Sequence, residues 1–169
     1  MLTPFLGFLW SFSRIFIRAP SGRKRFNVLG ALNAVTHELI TVCNETYINA
    51  ESVCKLICKI SESCVGIPIT VVLDNARYQK CRVVFELAER LDTELLYIPP
   101  YSPNLNLIER LWKFVKKKCL WSKYYAGFDE FKTAIRDCLR KTHTTYRDEL
   151  QTLLTLKFQT FRKARIDTV

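Results

Sequence analysis

A proline-rich segment, IPPYSPNLN at 98–106, restricts the fold of this chain more than any other stretch. Proline holds its own φ at about −65° and biases the preceding residue toward extended backbone, so a helix cannot run through 98–103. A helix is instead predicted to begin at about Asn106, whose side chain can cap it. Apolar residues then recur at helical spacing, at Ile108, Leu111, Trp112, Val115 and Cys119. The segment is therefore expected to be a stiff connector that leads into a helix.

Glu109 stands in the first turn of that predicted helix, and two roles are open for it. The pattern Asn-x-x-Glu that begins at Asn106 is close to a capping box, in which the glutamate only accepts a hydrogen bond from a backbone N–H. Alternatively, the rigid loop presents the Glu109 carboxylate for chemistry. The second role gains weight because another carboxylate lies upstream.

That second carboxylate is Asp74, which follows the apolar run ITVVL at 69–73. Such a run is typical of a strand buried on both faces. A predicted helix at 81–91 and a predicted strand at 95–98 come next, and this β-helix-β order indicates a parallel pair with a right-handed crossover. Asp74 is then expected at the carboxyl end of a central strand, where α/β folds place reactive groups. The alternative is that Asp-Asn at 74–75 only starts a turn.

The segments before Asp74 predict a hairpin followed by a helix. Two strand-like runs, at 26–34 and 38–43, flank a turn at 35–37. His37 lies in that turn and is interpreted as solvated rather than as a ligand. Residues 49–60 have a capping asparagine, an acidic first turn and apolar residues at helical spacing, which indicates a helix.

The two ends of the chain differ in pattern. Residues 5–17 are apolar but are interrupted by Arg14 and are too short to span a bilayer, so they are predicted to be a core strand. Helical patterns without internal proline or glycine cover 128–142 and 146–161. No linker divides the chain, and a single α/β domain over 1–169 is therefore expected.

The charge of the chain points to a polyanionic partner. Its 26 Lys and Arg outnumber its 16 Asp and Glu, which gives a net charge of +10 and a pI near 9.4. This balance favours nucleic acid, with a membrane surface the weaker option. Candidate DNA-binding residues form two groups, Arg23, Lys24 and Arg25 before the hairpin and Lys113, Lys116 and Lys117 after the loop.

Seven cysteines, an odd number without a CxxC pair, suggest neither a zinc ribbon nor a disulfide framework. Cys54 and Cys58 fall one helical turn apart, but the chain has only two histidines, His37 and His143, that could complete a metal site. Buried reduced thiols are the preferred interpretation, and they favour a reducing, cytoplasmic setting.

Convergent carboxylates suggest a chemistry for Asp74 and Glu109. Two or three such groups bind hard cations such as Mg²⁺ or Mn²⁺ through oxygen. Two ions about 4 Å apart can activate a water or hydroxyl and stabilise the leaving oxygen of a phosphodiester. Asp74 and Glu109 are therefore the candidate catalytic and metal-binding residues, and the basic groups would hold the DNA backbone.

The motifs LDNA at 73–76, IPPYSPNLN at 98–106 and IERLW at 108–112 resemble the catalytic region of DDE-type transposases of the mariner superfamily, particularly bacterial insertion-sequence members. The 34 residues between Asp74 and Glu109 match the interval between the second aspartate and the glutamate in that superfamily. The resemblance implies a ribonuclease H-like fold, with a mixed sheet flanked by helices, in which three carboxylates bind two metal ions. It further implies cleavage of DNA ends, strand transfer to target DNA and a bacterial, nucleoid-associated setting.

Three departures from that family pattern bear on activity. Leu107 stands where the family usually has proline. This difference has little effect on the stability of the helix, because proline is favoured but not required at a first helical position. The family's first catalytic aspartate lies on a strand before the hairpin, whereas no aspartate precedes Asp74 here. The earlier acids are predicted in turns or on a helix, at Glu38, Glu45, Glu51 and Glu62. The family's helix-turn-helix DNA-binding region is missing as well.

The chain is accordingly interpreted as a transposase catalytic domain that is incomplete at its N-terminus, lacks its first strand and is inactive alone. A competing hypothesis is a non-enzymatic remnant that binds DNA, or an intact transposase, through its basic surface. A homodimer is also open. A third hypothesis, a ribonuclease H-like domain with unrelated nuclease activity, predicts cleavage without joining of ends.

Overall fold

The computed structural model describes residues 10–16, 24–100, 102 and 105–158. Its strands are β1 (Asn27–Leu32), β2 (Leu39–Asn44), β3 (Ile69–Leu73) and β4 (Thr93–Tyr97). Its helices are α1 (Ala50–Ser63), α2 (Arg82–Arg90), α3 (Leu107–Cys119), α4 (Phe128–Arg140) and α5 (Arg147–Leu153), with a 3-10 turn at Lys141–His143. The order along the chain is β1-β2-α1-β3-α2-β4-α3-α4-α5. None of the described helices is long and apolar enough to cross a membrane.

The predicted hairpin is confirmed, because β1 and β2 pair antiparallel. Asn33 builds its turn: the side-chain oxygen accepts hydrogen bonds from the N–H groups of Val35 at 2.8 Å and Thr36 at 3.0 Å. His37 adopts a left-handed φ of 60° in the same turn and is half-buried. The hairpin is thus closed by local side-chain chemistry.

The predicted β-helix-β unit is also confirmed. β3 and β4 pair parallel, with Leu73 opposite Tyr97. The preceding helix α1 begins where predicted, because Asn49 and Ser52 form a reciprocal capping box. Parallel pairing brings the carboxyl ends of β3 and β4 to the same edge, where Asp74 and the proline-rich loop begin.

A layer formed by α1 and α2 covers one face of both strand pairs. Val53 and Ile57 of α1 and Val84 of α2 form its buried cluster, against which Leu29 of β1 and Leu95 of β4 pack. Because one apolar cluster touches both strand pairs, it fixes the hairpin and the parallel pair on a common support.

Helix α3 packs against the hairpin at Gly30. A side chain at this position would meet the indole of Trp112 at 2.9 Å and Ile108 at 3.3 Å. A larger core cluster unites α3 with α4, α5 and the residue before β1, through Leu111, Phe114, Ile135, Leu150 and Phe26. Because Gly30 has no side chain, the Trp112 indole of α3 can lie directly against β1 at this position.

The sheet differs from the single mixed sheet that was expected. Within the described ranges, the strands form two separate two-stranded sheets, β1–β2 and β3–β4. The prediction that 69–73 is buried on both faces is wrong, because Thr70 and Val72 are exposed, Val72 to 46%. Thr70 instead donates a hydrogen bond of 2.6 Å to Glu94 on that open face. β-branched residues suit an exposed strand face as well as a buried one, so the apolar run was ambiguous.

Predictions for the two ends of the chain need correction. Residues 10–16 form no strand and expose Trp10 and Phe16, while the rest of the predicted strand 5–17 lies outside the described residues. The helix predicted at 146–161 ends at Leu153, and the chain is not helical from 154 to 158. Tertiary contacts hold residues 154–158 in a non-helical conformation, and helical periodicity in the sequence does not reveal such contacts.

All seven cysteines are free, but only Cys119 and Cys138 are buried. The prediction of buried thiols is therefore correct for these two and wrong for the other five. A hydrogen bond between the two thiols, together with burial, raises the pKa of Cys119, whose Sγ lies 2.9 Å from the Val115 carbonyl oxygen. The same hydrogen bond lowers the pKa of Cys138.

Candidate metal and nucleic-acid site

Asp74 directly follows β3, and its side chain is exposed. Its Oδ1 accepts a hydrogen bond from the backbone N–H of Ala76 at 3.3 Å, so the residue does start a turn. The carboxylate makes no ion pair with the residues that the structure describes. Among the described residues, no cation therefore pairs with Asp74 at the sheet edge.

Asn75 ties this strand end to the proline-rich loop. Its Nδ2 donates a hydrogen bond of 2.5 Å to the carbonyl oxygen of Ile98, and the Ile98 N–H donates to the Leu73 carbonyl at 3.0 Å. Both backbone polar groups of Ile98 are thus satisfied by the two residues that flank Asp74. No role is predicted for Asn75 from sequence, although an amide directly after a strand-end carboxylate is a signal for one.

The loop leads to α3, which begins as predicted. Within the loop, the Leu105 N–H donates to the Ser102 carbonyl at 3.0 Å. Asn106 caps α3, because its Oδ1 accepts a hydrogen bond from the Ile108 N–H at 3.3 Å. The start of the loop is therefore fixed by β3 and its end by a helix cap.

Glu109 lies in the first turn of α3 and is half-buried. The cap of α3 lacks the reciprocal bond that Ser52 forms in α1, so the capping-box role suggested by Asn-x-x-Glu is not realised. The Glu109 carboxylate also forms no ion pair with a described residue. Within the described part of the chain, this carboxylate is therefore available to a ligand.

Asp74 and Glu109 each have a carboxylate without a cationic partner among the described residues, and such carboxylates are suitable ligands for a hard divalent cation. The set is small, however: among the described residues, no group of three His, Cys, Asp or Glu side chains could hold a metal. Two of the earlier acids are engaged elsewhere, Glu45 with Lys132 and Glu51 with Lys55, each at 2.7 Å. The described chain therefore offers two candidate ligands, Asp74 and Glu109, rather than three.

The pKa of Tyr78 depends on the charge at Asp74. Burial raises the pKa of Tyr78, and the nearby Asp74 carboxylate raises it further because it would repel a tyrosinate. The residue that follows Tyr78 is held against β4, since the Tyr97 hydroxyl donates a hydrogen bond of 2.9 Å to the Gln79 carbonyl. Tyr78 thus offers a built-in probe of charge at the candidate site.

The predicted basic group on α3 faces solvent. Lys113, Lys116 and Lys117 are exposed and form no ion pair with the described chain. Glu109, Lys113 and Lys116 stand at i, i+4 and i+7, so they share one face of α3. Lys118 differs, because it forms an ion pair of 2.7 Å with Glu149.

The other predicted basic group lies before β1. Arg23 is outside the described residues. The Lys24 Nζ lies 5.5 Å from the ring centroid of Phe128, and the Arg25 guanidinium lies 4.4 Å from that of Tyr47. Both side chains are exposed, so these cation–π contacts orient the cations and leave them accessible.

Arg110 has a structural role that sequence reasoning missed. Its guanidinium donates hydrogen bonds to the carbonyl oxygens of Leu153 at 3.4 Å, Thr155 at 2.7 Å and Lys157 at 3.0 Å. It also lies 5.4 Å from the ring centroid of Phe158. We name residues 154–158 the C-terminal strap. Its partners lie more than 40 residues from Arg110 along the chain, so no local pattern signals the contact.

A comparison with protein families gives a match. The family model described as DDE superfamily endonuclease matches residues 13–132. The matched region contains Asp74, Glu109 and the whole proline-rich loop. A comparison with curated protein sequences gives no match.

Several solved structures share the fold. The Mos1 transposase paired-end complex with the left transposon end has a TM-score of 0.57 at 12% identity, over 94% of this chain and 54% of that chain. The Mos1 mariner paired-end complex with Mn has a TM-score of 0.57 at 13% identity, with the same coverages of 94% and 54%. The catalytic core domain of BIV integrase has a TM-score of 0.50 at 13% identity, over 75% and 93%. This chain spans about half the length of the Mos1 chains.

At these identities the structural matches show the fold, an α/β ribonuclease H-like arrangement shared with transposase and integrase catalytic cores. The family match covers more than half of the chain and includes both candidate carboxylates. The chain therefore belongs to the DDE superfamily endonucleases.

Proposed function

We propose that this chain is the catalytic part of a mariner-like, DDE-type transposase of a bacterial insertion sequence. Such an enzyme cleaves DNA at element ends and joins the ends to target DNA. One observation carries the proposal: Ile98 is hydrogen-bonded to both neighbours of Asp74, so the loop that leads to Glu109 starts beside Asp74. The Mos1 complexes, one with a transposon end and one with Mn, support it by similarity.

Asp74 and Glu109 would hold Mg²⁺ or Mn²⁺ through their carboxylate oxygens, two ions in the intact enzyme. The bound ions would supply activation of the attacking hydroxyl and stabilisation of the leaving oxygen of the phosphodiester. Lys113 and Lys116, on the same face of α3 as Glu109, would neutralise phosphates beside the site. Lys24, Arg25 and Arg23 are proposed as a second phosphate-binding group.

We further propose that this chain alone does not cleave DNA. Its described residues provide no group of three ligands, and no described strand joins its two strand pairs. A third carboxylate, on a strand in the intact enzyme, would complete the site. A second candidate function follows, that of a non-enzymatic protein that binds DNA, an intact transposase or a second copy through its exposed lysines. Either function would act at the bacterial nucleoid.

Two measurements test these proposals. Binding of Mn²⁺, followed by electron paramagnetic resonance, should be lost in Asp74→Asn and Glu109→Gln and retained in the matched exposed controls Asp92→Asn and Glu62→Gln. A cleavage assay on element-end DNA with Mg²⁺ or Mn²⁺ should give no product with the chain alone. Equal Mn²⁺ binding in all four variants would overturn the metal site. Cleavage that Asp74→Asn abolishes would overturn the proposed inactivity.

A further inference from the structure

Residues 10–16 form an apolar segment that is exposed to solvent along its whole length, and we name it the N-terminal arm. The side chains of Trp10, Phe12 and Phe16 are each at least 85% exposed. Apolar surface left in water is unfavourable by about 25 cal/mol per Å². The arm would therefore be stabilised by a surface that covers these rings.

The sequence of the arm has the period of a β-strand. Side chains at every second position of an extended chain lie on the same side. Trp10, Phe12, Arg14 and Phe16 therefore form one side of an extended arm, and two serines with Ile15 form the other. The arm is bent at 12–13 and pairs with no described strand, which leaves it able to straighten on a partner. One side of the straightened arm combines three aromatic rings with a single cation.

A second exposed surface lies on β3 and β4, opposite the face that α1 and α2 cover. Thr70 pairs with Glu94, and Val72 pairs with Leu96, in the parallel register. All four side chains are exposed, Leu96 to 51%. The hydrogen bond from the Thr70 hydroxyl holds the Glu94 carboxylate on this face. We name these four residues the β3–β4 face, which combines an apolar pair with a single anion.

Charge and spacing on the arm match those on the β3–β4 face. Arg14 and Phe16 stand two residues apart, as do Glu94 and Leu96. Two strand residues span about 6.6 Å, so an extended arm can place its cation on the anion and a ring on the apolar pair at the same time. The match therefore includes both opposite charge and apolar contact.

The two surfaces fit a contact between two copies of the chain. Both are exposed in the same copy, so neither covers the other there. Two copies that exchange arms would cover both surfaces in one symmetric contact. Six aromatic side chains, three from each arm, would remove roughly 900–1,500 Å² from water, at about 150–250 Å² each. Stable interfaces bury about 1,200–2,000 Å² in total, so the arms alone supply most of the area that a stable dimer needs.

We propose that the N-terminal arm of one copy docks on the β3–β4 face of a second copy, and the reverse, with Arg14 on Glu94 and aromatic rings on Val72 and Leu96. This dimer goes beyond the proposed function, because it requires neither DNA nor a metal ion and uses none of the candidate catalytic residues. The interface lies on the strand pair that ends at Asp74. Its formation therefore also stabilises the sheet edge that carries the candidate site.

Size-exclusion chromatography with light scattering on the full chain tests the dimer. The wild type should have twice the 19.8 kDa mass of one chain. Phe12→Ser combined with Phe16→Ser should raise the dissociation constant at least about tenfold, because the rings at the interface are lost. Val35→Ser combined with Val83→Ser removes exposed apolar side chains from the hairpin turn and α2, and should match the wild type. A monomeric wild type, or equal dissociation constants for the two double variants, would overturn the proposal.

Charge reversal distinguishes binding to a second copy from packing within one copy. Arg14→Glu and Glu94→Arg should each weaken self-association at least about tenfold, because like charges then face each other. Mixing the two variants should restore dimers, since both arm-to-face contacts of a mixed pair join opposite charges. Monomers in the mixture would indicate that the arm packs on its own copy, and association unaffected by either reversal would indicate a different interface. Either result would contradict arm exchange and leave the metal and DNA proposals standing.

Discussion

The side chain of Asn75 donates a hydrogen bond of 2.5 Å to the carbonyl oxygen of Ile98, which fixes the start of the proline-rich loop beside Asp74. Asn75→Asp keeps the shape but replaces the donor by an ionised acceptor. We expect it to lower the free energy of unfolding by about 1–3 kcal/mol at neutral pH, because a carboxylate would face the carbonyl. Urea denaturation measures the change.

Two comparisons isolate the hydrogen bond. Asn75→Ala removes the donor without adding a charge, so it should be less destabilising than Asn75→Asp. Protonation of the new aspartate restores a donor, so the folded state should raise its pKa. The stability of Asn75→Asp should then recover as pH falls and be lost as pH rises. A loss that is the same at every pH would contradict this role.

The pKa of Tyr78 should depend on the charge at Asp74. Burial and the Asp74 carboxylate raise this pKa, so Asp74→Asn should lower it toward the ordinary tyrosine value. The measurement is an absorbance titration of tyrosinate, with the signal of Tyr78 obtained by subtracting that of Tyr78→Phe. Asp92→Asn should leave the titration unchanged.

A divalent cation bound at Asp74 should act on Tyr78 in the same direction as Asp74→Asn. Positive charge stabilises the tyrosinate, so Mg²⁺ should lower the pKa of Tyr78 in the wild type and have no effect on it in Asp74→Asn. Insensitivity of the wild-type titration to saturating Mg²⁺ would argue against metal binding at Asp74.

Gly30 should be intolerant of a side chain, because an added Cβ would lie 2.9 Å from the Trp112 indole. We expect Gly30→Ser to cost about 1–3 kcal/mol of unfolding free energy, since α3 must move away from β1. Gly127 is the matched control: a Cβ added there would have nothing within 4 Å, and its φ is −122°, so Gly127→Ser can cap α4 without strain. Equal urea midpoints for the two variants would contradict the close approach of α3.

The exposed lysines of α3 should contribute to DNA affinity by neutralising phosphates. Replacing Lys113, Lys116 and Lys117 by Gln should reduce the slope of log K against log salt by about 0.9 for each phosphate that is no longer neutralised. Fluorescence anisotropy with labelled duplex DNA at several salt concentrations gives this slope. Lys55→Gln, Arg82→Gln and Arg140→Gln together remove the same charge from cations that are ion-paired on other helices. Equal slopes in the two triple variants would show that only net charge matters.

Local patterns predicted much of the fold, because local chemistry determines it. Asn49 and Asn106 mark helix starts by capping, and the turn at Asn33 closes the hairpin with its own side chain. The predicted strand-helix-strand order then correctly indicated that β3 and β4 pair parallel. The positions of Asp74 after a strand and Glu109 in a first helical turn followed from these signals.

Features created by tertiary contacts were not predictable in this way. The end of α5 depends on Arg110, whose partners at Thr155 and Lys157 are remote in sequence. The open face of β3 depends on which helices pack nearby, and hydropathy cannot supply that information. That Glu109 has no ion-pair partner among the described residues likewise required coordinates, because Asn106 followed by Glu109 is compatible with a capping box.

The two strand pairs also differ in how far apart their residues lie in sequence. Leu32 pairs with Leu39 across a short turn, whereas the whole of helix α2 lies between Ile69 and its partner Thr93. Closing a longer loop costs more chain entropy, and contacts remote in sequence slow folding. We therefore expect the hairpin to form early and the edge that carries Asp74 to form late. During synthesis or refolding, this chain would contain a finished hairpin before it contained the candidate site.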